Sequence, residues 1–280
     1  MIRVFIDASS FEILPIQDGQ NPYIDVHYPH SKEKIMSQHQ HVTDAFTATP
    51  STICHLPRIT CPLPDIVFCA NAGLSLPGLN MLLLPNMKYK QRQDELPYLK
   101  RMFASIKLPT MDYPGTEPFE GQAELKWFHE GRKAVCGYGH RSTKKTFQEL
   151  DRLFGRLYGK NKPELLVIQL ISENYYHLDV AMLEYDDTKC IVHRRAISPA
   201  SVRKLERFLG KENVTVLDTD DSFCLNAVVD GANLITHKLT DPSLQSKLET
   251  LTNRTVKQVD TREFETSGGS VRCMTLDVHL

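Results

Sequence analysis

The sequence predicts an α/β protein built from one recurring unit: strand, turn, strand, short loop, amphipathic helix. Three observations support this. Short apolar runs come in pairs ahead of each helical stretch. Two helix starts carry a side-chain cap followed by proline, at Ser198-Pro199 and Asp241-Pro242. Polar or reactive residues also recur near the first strand of each unit, at Asn71, Glu124, His177, Asn226 and Cys273. They lie roughly fifty residues apart, a spacing typical of repeat architectures.

The first unit reads as Ile66-Val-Phe-Cys69, Met81-Leu-Leu-Leu84 and a helix over Glu95–Phe103. The second has strands Leu125-Lys-Trp-Phe128 and Ala134-Val-Cys136 before a helix over Lys144–Leu157. In the third, His177–Tyr185 and Cys190-Ile-Val192 precede a helix over Val202–Leu209. The fourth pairs Leu225–Val229 with Asn233–Thr236, and its helix starts at Asp241-Pro242. A fifth unit is circular: Arg272–Val278 joins Ile2–Ile6 and a helix over Lys32–Phe46, whose amphipathicity is interrupted by Gln38, His39, Gln40 and His41. Spacing alone leaves two architectures open. The units either surround an axis, bringing the five recurring positions together, or belong to an ordinary mixed α/β sheet.

The 280 residues carry 33 Lys+Arg against 34 Asp+Glu, a net charge of −1, and no dense basic run, so nucleic acid is not an expected partner. The start lacks the apolar stretch of a signal peptide, and no run is long enough to span a bilayer, so no membrane association is expected. Cysteines at 54, 61, 69, 136, 190, 224 and 273 are odd in number and unpaired in spacing, which predicts free thiols in a reducing, cytoplasmic setting. No Cys-x-x-Cys pair supports a structural zinc. His39 and His41 would lie on different sides of a helix, and no acid joins them with His27 and His30 in a metal sphere. The glycines around Tyr138 are not followed by the residues that complete a phosphate loop. No metal or cofactor is expected. Self-association is left open.

Near the end, the run Thr266-Ser-Gly-Gly-Ser-Val-Arg-Cys273 puts a cysteine after a Gly-Gly turn, at the expected start of the last strand. His177 and Asp179 alternate on what reads as one face of a strand, and Glu120 precedes Gly121. A cysteine, a histidine and an acid on separate segments form the set that thiol catalysis uses. Singly, each residue is as well explained by structure: a small buried hydrophobe, a core histidine, a turn.

Five motifs occur in order: Leu63-Pro-Asp-Ile-Val-Phe-Cys-Ala-Asn-Ala-Gly-Leu74, Phe119-Glu-Gly-Gln122, Gly137-Tyr-Gly-His-Arg-Ser142, Tyr176-His-Leu-Asp179, and Val259-Asp–Glu263-Phe–Ser267-Gly-Gly–Arg272-Cys273. Together they resemble the guanidino-group-modifying superfamily of amidinotransferases, arginine deiminases and dimethylarginine dimethylaminohydrolases. The likeness is strongest to arginine dihydrolases. The resemblance covers essentially the whole chain and implies the pentein fold, a five-bladed α/β propeller of ββαβ units, with residues 1–280 as one catalytic domain.

The implied chemistry suits the residues. A guanidinium carbon is a poor electrophile and needs a strong nucleophile, which Cys273 would be. His177 would protonate the leaving nitrogen and then activate water against the S-alkylthiouronium intermediate, with Glu120 orienting the ring. Asp179 would accept hydrogen bonds from the guanidinium, with Glu124 as a second acid. The resemblance further implies that Arg92 and Arg141 hold the α-carboxylate of arginine or a close derivative.

Asn71 discriminates among reactions. Deiminases and dimethylarginine hydrolases resemble this chain but carry aspartate at that point. An amide gives up charge pairing with a cation, yet it both donates and accepts, and so suits a neutral ureido group as well. Arginine dihydrolases resemble the chain in having Ala-Asn-Ala here, which points to two hydrolyses, from arginine to ornithine, ammonia and carbon dioxide. Amidino transfer and a non-enzymatic propeller such as the ribosome anti-association factor are the competing classes. The chain departs from the related pattern at Gln122-Ala123-Glu124, where Gly-Asp is usual, which alters the shape of the guanidinium pocket. It is also expected to lack the extra domain that some arginine dihydrolases carry.

Overall fold

The computed structural model describes residues 1–13, 22–46, 50–58 and 63–279; Cys61 lies outside them. The chain opens with β1 (Ile2–Phe5), α1 (Lys32–Ala45) and β2 (Thr52–His55). β3 (Leu74–Leu76), β4 (Met81–Leu84), the one-turn α2 (Lys90–Gln93), α3 (Leu96–Ser105) and β5 (Thr110–Asp112) follow. Next come β6 (Leu125–Phe128), β7 (Lys133–Tyr138), α4 (Lys144–Tyr158) and β8 (Glu164–Gln169). The short α5 (Leu178–Ala181) leads into β9 (Met182–Glu184), β10 (Cys190–His193), α6 (Pro199–Leu209) and β11 (Val214–Leu217). The chain closes with β12 (Val228–Asp230), β13 (Asn233–His237), α7 (Ser243–Thr252), β14 (Thr255–Val259), α8 (Arg262–Glu265) and β15 (Leu276–Val278).

These strands form five three-stranded sheets. Each has the same plan: the middle strand runs antiparallel to the strand before it and parallel to the one reached through a helix, as β4 does with β3 and β5. The fifth sheet joins the two ends of the chain. In it β1 pairs antiparallel with β15, Ile2 opposite Val278, and parallel with β2. The expected pair of strands is therefore the first part of a ββαβ unit. The third strand of each unit was missing from the residue pattern and was implied only by the family resemblance.

The helices form where local chemistry favours them. The Thr143 side chain accepts from the backbone N–H groups of Lys145 and Thr146 at the start of α4. Phe147, Leu150, Leu153 and Phe154 then fall on one buried face, and each contributes roughly 1.5–3 kcal/mol. In α6, Ser198 caps Ser201 and Pro199 takes the first helical position. Asp241 accepts from the N–H of Ser243 ahead of α7, which Asn253 ends in the left-handed conformation.

The structure corrects four strand assignments, all of the same kind. Residues 66–69 are not a strand: Pro64–Val67 and Cys69–Ala72 are two 3-10 turns, and β3 begins at Leu74. Only Met182–Glu184 of the expected His177–Tyr185 strand is extended sheet, only Val228 and Val229 of the expected Leu225–Val229, where the strand runs on to Asp230, and only Leu276–Val278 of the last. Each first strand is preceded by a turn of chain, closed by bonds such as Asn71 N–H to Phe68 O, Val180 N–H to His177 O, Asn226 N–H to Phe223 O and Met274 N–H to Ser270 O. A short buried apolar run has no periodicity to separate such a turn from a strand. His177 therefore does not alternate with Asp179 on a strand; it is the extended residue that caps α5, and Asp179 lies in the first turn.

Candidate active site

The turns ahead of the first strands carry Asn71, Asp179, Asn226 and Cys273 and bring them together. The turn at Gly121 does the same for Glu120. Gly121 has φ +65°, and a Cβ there would sit 2.7 Å from the Gly73 carbonyl oxygen and 3.0 Å from those of Ala70 and Asn71. Only glycine allows this approach, which sets Glu120 beside Asn71. Gly269 has a similar function: a Cβ would fall 2.1 Å from the Phe68 ring. The Tyr176 hydroxyl donates to the Gly268 carbonyl and fixes the other half of that turn.

His177 and Cys273 line one narrow cavity with Asn71, Arg92, Arg141, Phe68, Tyr89, Tyr176, Ser267, Gly269 and Asp65. His177 Nε2 lies 2.7 Å from Glu120 Oε2. The same carboxylate oxygen accepts from Arg141 Nη1 at 2.8 Å, and Glu120 Oε1 accepts from the Lys88 N–H at 3.1 Å. Burial opposes ionisation of Glu120, but Arg141 and His177 outweigh it and hold the carboxyl well below its usual range. His177 moves the other way: burial lowers its pKa despite Glu120. The resting pair is thus a carboxylate and a neutral imidazole that donates its Nε2 proton, which leaves Nδ1 as the basic nitrogen.

The Cys273 thiol is 3.6 Å from Asp179 Oδ2 and receives the Asn226 amide at 3.1 Å. Burial, and then the Asp179 charge, push the thiol far above its ordinary value. Burial also raises Asp179, against His177, Lys126 and Arg272. The thiol is therefore protonated and lies beside a destabilised carboxylate. A cation brought against both would relieve them.

The remaining expected residues have definite places. Arg92 is buried and gives Nε and Nη2 to Glu95 at 2.8 and 3.0 Å, Nη1 to Asn71 Oδ1 at 2.7 Å, and Nη2 also to the Asp65 and Phe68 carbonyls. Arg141 lies between the rings of Tyr89 and Tyr176, at 5.0 and 4.8 Å from their centroids. None of Glu120, Asp179 and Glu124 is among the cavity-lining residues: Glu120 contacts His177 and Asp179 contacts Cys273, both of which do line it, whereas Glu124 bonds to Glu120. It accepts from the Glu120 N–H at 3.1 Å and from the Ser142 hydroxyl, and burial followed by the Glu120 charge pushes it up to about 8.

Tyr89 and the Asn226–sulfur contact went unread in the sequence, and Tyr176 and Ser267 stood in its motifs without an assigned role. The recurrence of Asn226 with Cys273 was the available signal for the Asn226 contact. The Cys69 thiol donates to the Val4 and Met274 carbonyls, and burial pushes it up to about 12, a structural role. Among the described residues no group of three or more His, Cys, Asp or Glu is placed to hold a metal ion, and no helix is long and apolar enough to cross a membrane.

Five small ββαβ sheets with motif-bearing turns at one end define a class, the guanidino-group-modifying superfamily. Within it the chain belongs to the family described as N,N dimethylarginine dimethylhydrolase, eukaryotic, whose profile matches residues 15–280. It is 30% identical over 217 residues, 77% of its length, to the bifunctional arginine dihydrolase/ornithine cyclodeaminase ArgZ of Synechocystis sp., of whose length the match covers 29%. It is 26% identical over 263 residues, 92% of this chain and 80% of the other, to the N(G),N(G)-dimethylarginine dimethylaminohydrolase of Mycobacterium tuberculosis. The product-bound crystal structure of the N-terminal domain of ArgZ, an arginine dihydrolase of cyanobacteria, superposes with a TM-score of 0.85 at 24% identity. That match covers 99% of this chain and 97% of that domain, a likeness of fold.

Proposed function

We propose that the protein is a cysteine-dependent hydrolase of the guanidino group, converting arginine and two waters to ornithine, two ammonia and carbon dioxide. One observation carries the reading: the Cys273 sulfur faces the Asp179 carboxylate in a site shared with a His177 held by Glu120 at 2.7 Å, and the second group at His177 Nε2 is the amide of Asn71, at 3.5 Å.

The resting electrostatics give the order of events. A guanidinium accepted by Asp179 brings positive charge to the sulfur, and the thiol proton passes to His177, whose new charge Glu120 stabilises. The thiolate attacks the guanidino carbon. His177 returns the proton to the departing nitrogen, ammonia leaves, and the carbon stays on sulfur as the S-alkylthiouronium. His177 then deprotonates water, which adds to that carbon and displaces the sulfur, leaving a ureido group. In the second round the same attack expels the second ammonia, and water releases a carbamate that collapses to ornithine and carbon dioxide. Asn71 is suited to both substrates, because an amide presents a donor and an acceptor to a group that changes from cation to neutral urea.

In this reading Arg141 takes the substrate's α-carboxylate. The donors of Arg92 go to Glu95, Asn71 and two carbonyls, so we assign it to holding Asn71. Residues 1–280 act as one unit whose five sheets close around an axis. In support, polar links run from sheet to sheet: Ser75 with His279, Asn71 with Glu120, Lys126 with Glu184, Asn226 with Asp179, and Arg3 with Asp230.

A second reading, dimethylarginine to citrulline and dimethylamine, is favoured by the family match. Incubating the purified protein with each substrate separates the two. Two ammonia per ornithine from arginine, lost in Cys273→Ser, is the expected result. Stable citrulline from arginine would overturn the double hydrolysis, and dimethylamine release faster than ammonia release would favour the second reading.

A further inference from the structure

We propose that Asn226 is a catalytic residue, its side-chain amide donating to the Cys273 sulfur and stabilising the thiolate formed during the reaction; the role in turnover rests on the hydrolase reading above. Asn226 is fully buried in the turn ahead of β12, on a different sheet from the cysteine. Its Oδ1 accepts from two consecutive backbone N–H groups, those of Arg272 at 3.1 Å and Cys273 at 3.2 Å. That pair settles which end of the amide is oxygen. The NH2 end is therefore aimed at Cys273 Sγ, at 3.1 Å, and at the Asp179 carbonyl, at 3.2 Å. Every polar atom of this side chain is used: two of the four contacts fall on Cys273 itself and a third on the N–H of the residue before it.

The chemistry of the contact is asymmetric. An NH2 group can only donate, and a neutral thiol is a weak acceptor while a thiolate is a strong one. The bond therefore tightens as the sulfur ionises. Burial and Asp179 both oppose that ionisation; the Ser270 backbone and then the Asn226 side chain counter them. A lysine or arginine here would stabilise the thiolate more strongly but would repel a guanidinium arriving a few ångströms away. A neutral donor stabilises the anion without that penalty. The two backbone bonds to Oδ1 also tie the Arg272 and Cys273 N–H groups to the same amide, which holds the donor beside the sulfur.

The test reads the sulfur without any turnover. In the Asn226→Asp variant the two acceptor bonds can persist while the donor becomes a carboxylate oxygen facing the sulfur. Alkylation of Cys273 by iodoacetamide, followed by mass of its peptide across a pH series, should shift its midpoint upward by about one unit or more. Below the midpoint that is at least about a tenfold slower reaction at a given pH. A folded variant with an unchanged midpoint overturns the proposal. If the variant does not fold, the parent protein decides: the Asn226 side-chain amide resonance should titrate with the same midpoint as Cys273 alkylation, and a flat resonance across that midpoint overturns the proposal. Failure of the parent to hydrolyse any guanidino compound would overturn the functional reading and leave both of these measurements standing.

Discussion

On the proposed function, one side chain, Asn71, sets the reaction's end point. Its oxygen is tied to Arg92 and its nitrogen faces the Glu120 carbonyl at 3.2 Å and His177 Nε2 at 3.5 Å. In Asn71→Asp the Arg92 bond can remain, but an anionic oxygen would face that carbonyl and the His177 ring. The negative charge favours the cationic first substrate over the neutral second one, and it favours the imidazolium. The expected outcome is a larger share of citrulline among the products, with the pH limb governed by His177 displaced upward; chromatography of products and a pH–rate profile measure both. At this scale the sequence was partly legible. The motif order named Cys273, His177, Glu120, Asp179 and Asn71. The commitments of Arg92 and Glu124 were hidden: Glu95 stands outside every motif, and the motif that ends at Ser142 does not say that its hydroxyl turns to Glu124.

The element that delivers Cys273 is anchored by a buried imidazole outside the cavity. His237 on β13 meets Asp221 at 2.8 Å and Glu265 of α8 at 3.1 Å. Glu265 also accepts from Thr261, which contacts Ser270 at 2.8 Å in the loop leading to Cys273. Burial lowers the His237 pKa, but the two carboxylates outweigh it and bring it to about 9, against an ordinary 6.5. A histidine raised in the folded state stabilises most below its unfolded pKa, and that contribution is lost as the pH rises through the folded one. The shift corresponds to about 3 kcal/mol as an upper figure, shared with the lowered Asp221 rather than added to it. His237→Gln should therefore reduce stability most at pH 6.5 and below, with the difference from the parent shrinking towards about pH 9. Urea titrations across that range test it, and a pH-independent difference would contradict it. Helix starts at Ser198-Pro199 were readable because capping is local chemistry. The turn before each first strand was not, because its apolar residues face a core that only the assembled sheets provide.

At the scale of the molecule, both ends of the chain meet in one sheet, and a charged network joins that sheet to two others. Asp277 of β15 receives Arg3 of β1 and Arg272, each at 2.8 Å; Arg3 also reaches Asp230 of β12, and Arg272 reaches Glu184 of β9 at 3.2 Å. Burial opposes its ionisation, but the two arginines hold the Asp277 carboxyl far below its usual range. Asp277→Asn would leave two buried guanidinium groups short of a partner, with an expected cost of about 3–5 kcal/mol and a lowered Tm. An unchanged Tm would mean that Asp230 and Glu184 suffice. The recurrence of five polar positions made the repeated unit legible, including the sheet that joins the two chain ends, but left a ring of units and an ordinary mixed sheet both open. What spacing could not convey is that the same turns both start each sheet and build the site.

The central claim is that the Cys273 sulfur attacks the guanidino carbon. Rapid quenching of the protein with arginine labelled at that carbon, followed by mass analysis of the Cys273 peptide, tests it most directly. The account predicts a transient label on Cys273 that appears before free ammonia reaches its steady rate and is absent from Cys273→Ser. Ammonia and ornithine released at the parent rate by Cys273→Ser would contradict it.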